Sequence, residues 1–170
     1  LEQIFVKNWQ FITDASALEK NRETFPFHFL GDLLPEPLVL INNNGVIDCF
    51  SNVCTHRGNI LIKQPCVLDK HITCAYHGRQ FDSCGKFKFM PKTEGMQNFP
   101  TLEDDLPQIQ VAKWRQFLFS SLAPDLEFSD LIREVEERVG WMPIEDFKYR
   151  EDLSKEYSVN ANWALYCDNY

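Results

Sequence analysis

Cys54-Thr55-His56-Arg57-Gly58 and Cys74-Ala75-Tyr76-His77-Gly78 are the stretches on which the reading of this 170-residue chain turns. Their pattern is C-x-H, seventeen residues, then C-x2-H. Each half brings one thiol and one imidazole, side chains that suit transition metals. Each ends in a glycine close behind the histidine, where the backbone can turn tightly. Hairpin signals flank both halves, which places both on loops held by strands. Two Cys and two His fit either of two centres. A structural zinc ion takes a tetrahedral Cys2His2 shell, usually with its cysteines grouped together and its histidines grouped together. Here each loop mixes the two types. That suits a binuclear [2Fe-2S] site in which Cys54 and Cys74 bind one iron while His56 and His77 bind the other.

Around these loops the chain reads as mostly β. Phenylalanines alternate at 25, 27 and 29, at 87 and 89, and at 117 and 119, the period of half-buried strands. Pro26 interrupts the first run and predicts a strand at a sheet edge. Leu38–Ile41 and Val46–Phe50, separated by Asn42-Asn43-Asn44-Gly45, predict a hairpin. A second hairpin is predicted at Asp82–Lys86 with Gly85 in its turn, a short strand at His71–Cys74, and one or two strands across Ile109–Ser120. Leu131, Ile132, Val135 and Val139 predict a helix over 129–139. Ser129 or Asp130 would cap its start and Gly140 would close its end, with Glu134, Glu136 and Glu137 mainly on the outer face. Tyr157–Asn160 reads as the start of a further strand, and Asn162–Tyr170 runs on without a stop signal.

Composition excludes several classes. The chain is 44% hydrophobic and 25% charged, which argues against disorder. A net charge of −8 argues against a nucleic-acid partner. No apolar run approaches the roughly 18 residues of a membrane span, so no membrane partner is expected. The start is too polar for a signal peptide, and Leu1 rather than methionine opens the sequence, so more chain is expected on either side. Six cysteines are too sparse for a disulfide scaffold, and the Cys/His pairs point to a reducing, cytoplasmic compartment. Cys49, Cys66, Cys84 and Cys167 read as inert thiols, and His28 and His71 as ordinary strand or turn residues.

The two loops, the second extended through Gly78-Arg79-Gln80-Phe81-Asp82, resemble the cluster loops of Rieske non-haem iron oxygenases. Phe50-Ser51-Asn52-Val53, Gly85-Lys86, Asn162-Trp163-Ala164-Leu165 and Asp168-Asn169-Tyr170 extend the resemblance over most of the chain. The resemblance implies a Rieske-type antiparallel β domain. Residues 1–45 and 89–122 would form its base, 46–88 a cluster-binding subdomain, 123–144 a helix and linker, and 145–170 the beginning of an α+β catalytic domain. It implies a Rieske [2Fe-2S] cluster on Cys54, His56, Cys74 and His77, and a mononuclear non-haem Fe(II) whose ligands lie past Tyr170. Asp168 matches the acid before Asn in the family, not an iron ligand. A reductase or ferredoxin would donate electrons, and the whole protein would be a homotrimer that hydroxylates or demethylates its substrate with O2. High-potential Rieske proteins carry a disulfide at the positions of Asn59 and Tyr76, so a potential near the low end of the range, about −150 mV, is expected. Arg57 is expected beside the cluster, and one of the two histidines as the exit for the electron, coupled to a proton. Cys167-Asp168-Asn169-Tyr170 also resembles choline monooxygenase-like members, which would bring a quaternary ammonium substrate. The alternative is a free-standing Rieske ferredoxin, which would not need the tail from Ser129 onward.

Overall fold

Leu38-Val39-Leu40-Ile41 is apolar without alternation, the pattern of a strand covered on both faces. The computed structural model describes residues 4–30 and 34–169, and there the run lies in β3 (Leu34–Asn43) with no side chain more than 1% exposed. Leu38 and Leu40 join one core with Leu18, Phe29, Cys49 and Leu118. Val39 and Ile41 face the opposite way, into a second core with Phe50, Ile62, Leu68, Phe81 and Leu106. Cys54 and Cys74 belong to that second core.

β3 turns into β4 (Val46–Ser51) through Asn44 and Gly45, at φ +55° and +92°. A two-residue turn with positive φ at both positions matches the twist of the strands it joins. The predicted turn is thus shorter than the Asn42–Gly45 run. Asn42 and Asn43 stay in the ladder opposite Ile47 and Val46. Asn42 is buried, and its side chain donates to the Leu18 carbonyl (2.6 Å) and accepts from the Gly45 amide (2.7 Å).

The remaining strands are β1 (Gln10–Asp14), β2 (Glu23–Phe29), β5 (Cys66–Val67), β6 (Ile72–Thr73), β7 (Gln80–Phe81), β8 (Phe87–Phe89), β9 (Gln108–Trp114) and β10 (Phe117–Ser121). A seven-stranded antiparallel sheet runs β1-β10-β9-β4-β3-β2-β5, and a three-stranded sheet runs β6-β7-β8. β4, grouped by sequence with the cluster subdomain, pairs with β3 and β9 in the large sheet. Pro26 sits where β2 has a ladder on one side only, because β5 covers just Glu23 and Thr24. Phe117 and Phe119 are half-buried on one face of β10 and pack edge-on against Phe11, while Leu118 and Ser120 fill the inside. The fold is mostly β, as predicted.

The helix α1 spans Phe128–Val139 and corrects two details. It is capped by Glu127 without a side-chain bond, and Ser129 and Asp130 lie within its first turn. Packing moves the start: Phe128 is clamped between Trp9 and Phe119, with ring centroids 5.1 Å away in each case. Gly140 closes the helix, as expected, in ordinary right-handed conformation at φ −60°. Glu136 leans toward β9 and the turn after it while staying 43% exposed, accepting from the Trp114 indole (2.6 Å) and pairing with Arg115, which also reaches Glu145. The strand expected at Tyr157–Asn160 is irregular, exposed chain with no ladder partner among the described residues. A short helix α2 (Ala164–Asp168) follows, and Trp163 before it packs on Phe5. Tyr170 lies outside the described residues. Among the described residues no helix is long and apolar enough to cross a membrane.

The β7–β8 hairpin is stapled by carboxylates. Asp82 Oδ1 accepts from the Cys84 and Lys86 amides (2.9 Å each), and Lys88 pairs with Oδ2 (2.8 Å). Asp105 accepts from the Phe87 amide (2.7 Å) and pairs with Lys86 (3.0 Å). Gly85, at φ +72°, backs onto Phe50 so closely that a Cβ would stand 2.8 Å from the ring.

Two predictions follow from this packing. Gly85→Ala lowers the melting temperature more than Gly45→Ala. Both pay the left-handed backbone cost of about 1–2 kcal/mol, but only Gly85 also meets a buried ring. The second concerns acid. Burial raises the Asp82 pKa, but Lys88 and the Lys86 and Cys84 amides outweigh it and hold the carboxyl below the ordinary range. Its contribution is therefore complete above about pH 4 and is lost as pH falls through the depressed value. Melting temperature against pH shows a shallower acid-side fall for Asp82→Asn than for the parent.

Candidate metal centre

The two Cys/His stretches fold into one backbone form used twice. In the first, an isolated antiparallel bridge between Val53 and Ile60 closes the loop 54–59. In the second, the Thr73–Gln80 pair of β6 and β7 closes the loop 74–79. The Cys54 amide donates to the Asn59 carbonyl and the Cys74 amide to the Arg79 carbonyl, 2.8 Å each. The Gly58 and Gly78 amides return to the carbonyls of Cys54 (3.0 Å) and Cys74 (2.9 Å). Both glycines have φ +72°, a conformation that costs a side-chain-bearing residue, which explains a glycine four positions after each cysteine. The histidine falls two places after the cysteine in one loop and three places after it in the other.

The four side chains meet as two pairs. Cys54 and Cys74 are each 2% exposed and sit in the same buried core. The His56 and His77 rings stand edge to face with centroids 4.8 Å apart. His77 Nδ1 is buried and has no hydrogen-bond partner, a status it shares with His71 Nδ1 outside the two loops. A buried imidazole nitrogen left unpaired is costly unless something occupies it. Among the described residues, no three His, Cys, Asp or Glu side chains gather about a single ion position. Paired donors with an orphaned ring nitrogen fit a two-metal group.

The surroundings treat the two thiols differently. Burial pushes Cys54 up, against the His56 amide and the Arg79 charge. At Cys74 burial is outweighed by the Tyr76 and His77 amides, the Cys54 thiol and the Asn59 side chain, and the pKa falls. Asn59 Nδ2 lies 3.6 Å from the Cys74 sulfur. His56 is held below its ordinary value by burial, then by His77, Arg57 and Arg79. Donors aimed at a sulfur favour the thiolate that metal binding needs.

Arg57 is exposed beside His56, and Tyr76 stacks on His77 with centroids 3.8 Å apart. Arg79 and Asp104 stand out only in the structure. Arg79 is 3% exposed, its guanidinium lies 4.9 Å from the Phe87 centroid and within 6 Å of Phe81 and Phe99, and it pairs with Asp104. A Thr101-x-x-Asp104 capping box was the available sequence signal. Cys49 alone of the other cysteines is buried, its thiol raised to about 12 by burial. Cys66, Cys84 and Cys167 are exposed. His28 is an exposed residue of β2, and His71 is half-buried just before β6. Asp168 is exposed on α2.

Comparison with known proteins bears on this geometry. Residues 8–100 match the Rieske [2Fe-2S] domain family. The chain is 33% identical to a choline monooxygenase of Amaranthus tricolor, over 100% of this chain and 38% of that protein. It is 25% identical to a carnitine monooxygenase oxygenase subunit of Escherichia coli K12, over 99% and 45%. A solved quaternary ammonium Rieske monooxygenase, described in terms of carnitine oxidation and inter-subunit electron transfer, shares the fold with a TM-score of 0.70. It is 23% identical, with 82% of this chain and 39% of that one covered. The chain spans less than half the length of these curated relatives. With its paired thiols, paired imidazoles and matched stretch of 93 residues, from 8 to 100, the chain belongs to the Rieske [2Fe-2S] domain family.

Proposed function

We propose that Cys54 and Cys74 hold one iron of a [2Fe-2S] cluster and His56 and His77 the other. In this reading the chain is the electron relay of a Rieske non-haem iron oxygenase. The observation that carries it is the His77 ring, its Nδ1 buried and unpartnered, set against His56 and next to a buried thiol pair. When bound, the cluster supplies storage for one electron. Two neutral imidazoles in place of two thiolates remove negative charge and ease uptake of that electron. The amides of Tyr76 and His77 and the Asn59 side chain favour it further at Cys74. With His77 Nδ1 buried and unpartnered, it would be the nitrogen that holds a metal, and Nε2 the one left to hold a proton.

For the whole protein we infer a reductase or ferredoxin as donor and a homotrimer in which this unit faces the iron of a neighbouring subunit. The acceptor is a mononuclear iron, held outside this chain, that uses O2 to hydroxylate or demethylate. The choline and carnitine monooxygenase relatives support a quaternary ammonium substrate. Similarity that runs the full length of the chain, through α1 and the tail, favours the oxygenase over a free-standing ferredoxin. Thiolate ligation of this kind suits a reducing, cytoplasmic setting.

Two measurements test the reading. Anaerobically purified protein should contain about two irons per chain. After dithionite it should give a low-temperature EPR signal with the lowered average g of nitrogen-ligated clusters, lost in His77→Ala and Cys74→Ser. A colourless protein with one zinc per chain would sink the assignment. Asn59→Leu should lower the midpoint potential in a mediator titration while leaving the EPR signal in place, because it removes a donor to sulfur and no ligand.

A further inference from the structure

The disulfide that would tie the two loops in high-potential relatives has no counterpart at Asn59 and Tyr76, yet the loops are tied. The carbonyl oxygen of Asp104 accepts from Thr55 Oγ1 (2.9 Å) in the first loop and from Arg79 Nη2 (3.1 Å) in the second. One peptide oxygen thus serves both loops, one lone pair for each. Arg79 Nη2 also reaches Asp104 Oδ1 at 2.5 Å.

The segment bearing Asp104 is itself fixed. Asp104 Oδ2 accepts from the Thr101 amide (2.7 Å) and hydroxyl (3.2 Å) in the capping box. Two residues on, Leu106 is buried in the core that holds Cys54 and Cys74, and its amide donates to the Gly85 carbonyl (2.8 Å). The ion pair is sheltered, with side-chain exposures of 4% for Arg79 and 19% for Asp104. Sheltered charges are screened less than exposed ones, so each acts more strongly on its neighbours.

We propose that Arg79 and Asp104 form a charged strap across the two loops, positioning them against each other and setting the potential at which the centre between them takes an electron. The inference rests on the ligand assignment above. It makes Arg79 and Asp104 positioning residues. Their charges oppose one another, so removing either should shift the potential in a direction fixed by which charge remains. Loss of Asp104 leaves a buried cation, which favours the reduced centre. Loss of Arg79 leaves an anion, which disfavours it.

The test uses the chain loaded with iron and sulfide. Asp104→Asn should raise the midpoint and Arg79→Gln should lower it. Both should speed chelator-driven iron release, by about tenfold for each hydrogen bond to a charged group that is lost, and Arg79→Gln removes two of them. Arg79→Lys should restore the midpoint but not the release rate, since it keeps the charge and loses the planar Nη2 group that donates to both Asp104 oxygens. Thr55→Val cuts one arm and no charge, so it should speed release at an unchanged midpoint, and it serves if Arg79→Gln does not fold. Midpoints that move the same way in Asp104→Asn and Arg79→Gln, or in neither, would overturn the proposal, as would unaltered iron release in Thr55→Val. Failure of the parent chain to form a nitrogen-ligated cluster would instead overturn the ligand assignment.

Discussion

The antiparallel ladder between β3 and β4 divides one apolar run between two cores, and the rest of the molecule depends on that division. Leu38 and Leu40 go to the base, and Val39 and Ile41 go to the core that shelters the cysteines. Strand side chains alternate with period two, so a slip of one residue would exchange the two sets. The Asn44-Gly45 turn prevents the slip, because it fixes which residues stand opposite one another. β4 then delivers the chain through Ser51 into the first loop, so the register of a distant turn decides where Cys54 lands.

The centre built on that frame is asymmetric in its surroundings as well as in its donors. Cys54 has burial as its dominant influence, while Cys74 collects amide and side-chain donors that reverse the effect. The second loop also carries a cation, Arg79, whose guanidinium lies within 6 Å of the Phe81, Phe87 and Phe99 ring centroids. An arginine there is tolerable because a carboxylate and a carbonyl both accept from Nη2 and aromatic faces receive its plane, although Nε is buried without a partner. The hydrophobic core and the polar site are therefore not separate designs: Phe81 and Leu106 fill the one and brace the other.

Much of this was legible in the residues. The loops, both hairpins, the β-rich base and the Cys/His pattern each follow from local rules of spacing and turn chemistry, which act over a few neighbours. The misses have a common cause. Glu136 leans toward β9 because Trp114 and Arg115, over twenty residues earlier, wait for it. The helix begins at Phe128 because Trp9 and Phe119 hold that ring. The alternation at Tyr157–Asn160 had strand character, but a strand requires a ladder, and periodicity says nothing about partners. Asp104 escaped notice for the same reason, since its role exists only where two loops distant in sequence converge on its carbonyl.

The two loops share amide-to-carbonyl bonds, a glycine dihedral and a closing bridge, and differ in where the imidazole is mounted. The mould is common and only the fitting is displaced by one place. The difference between the two halves is thus imposed by side-chain address on a near-duplicate scaffold. Such an arrangement lets the main chain stay constant while the chemistry it presents is rewritten one letter at a time.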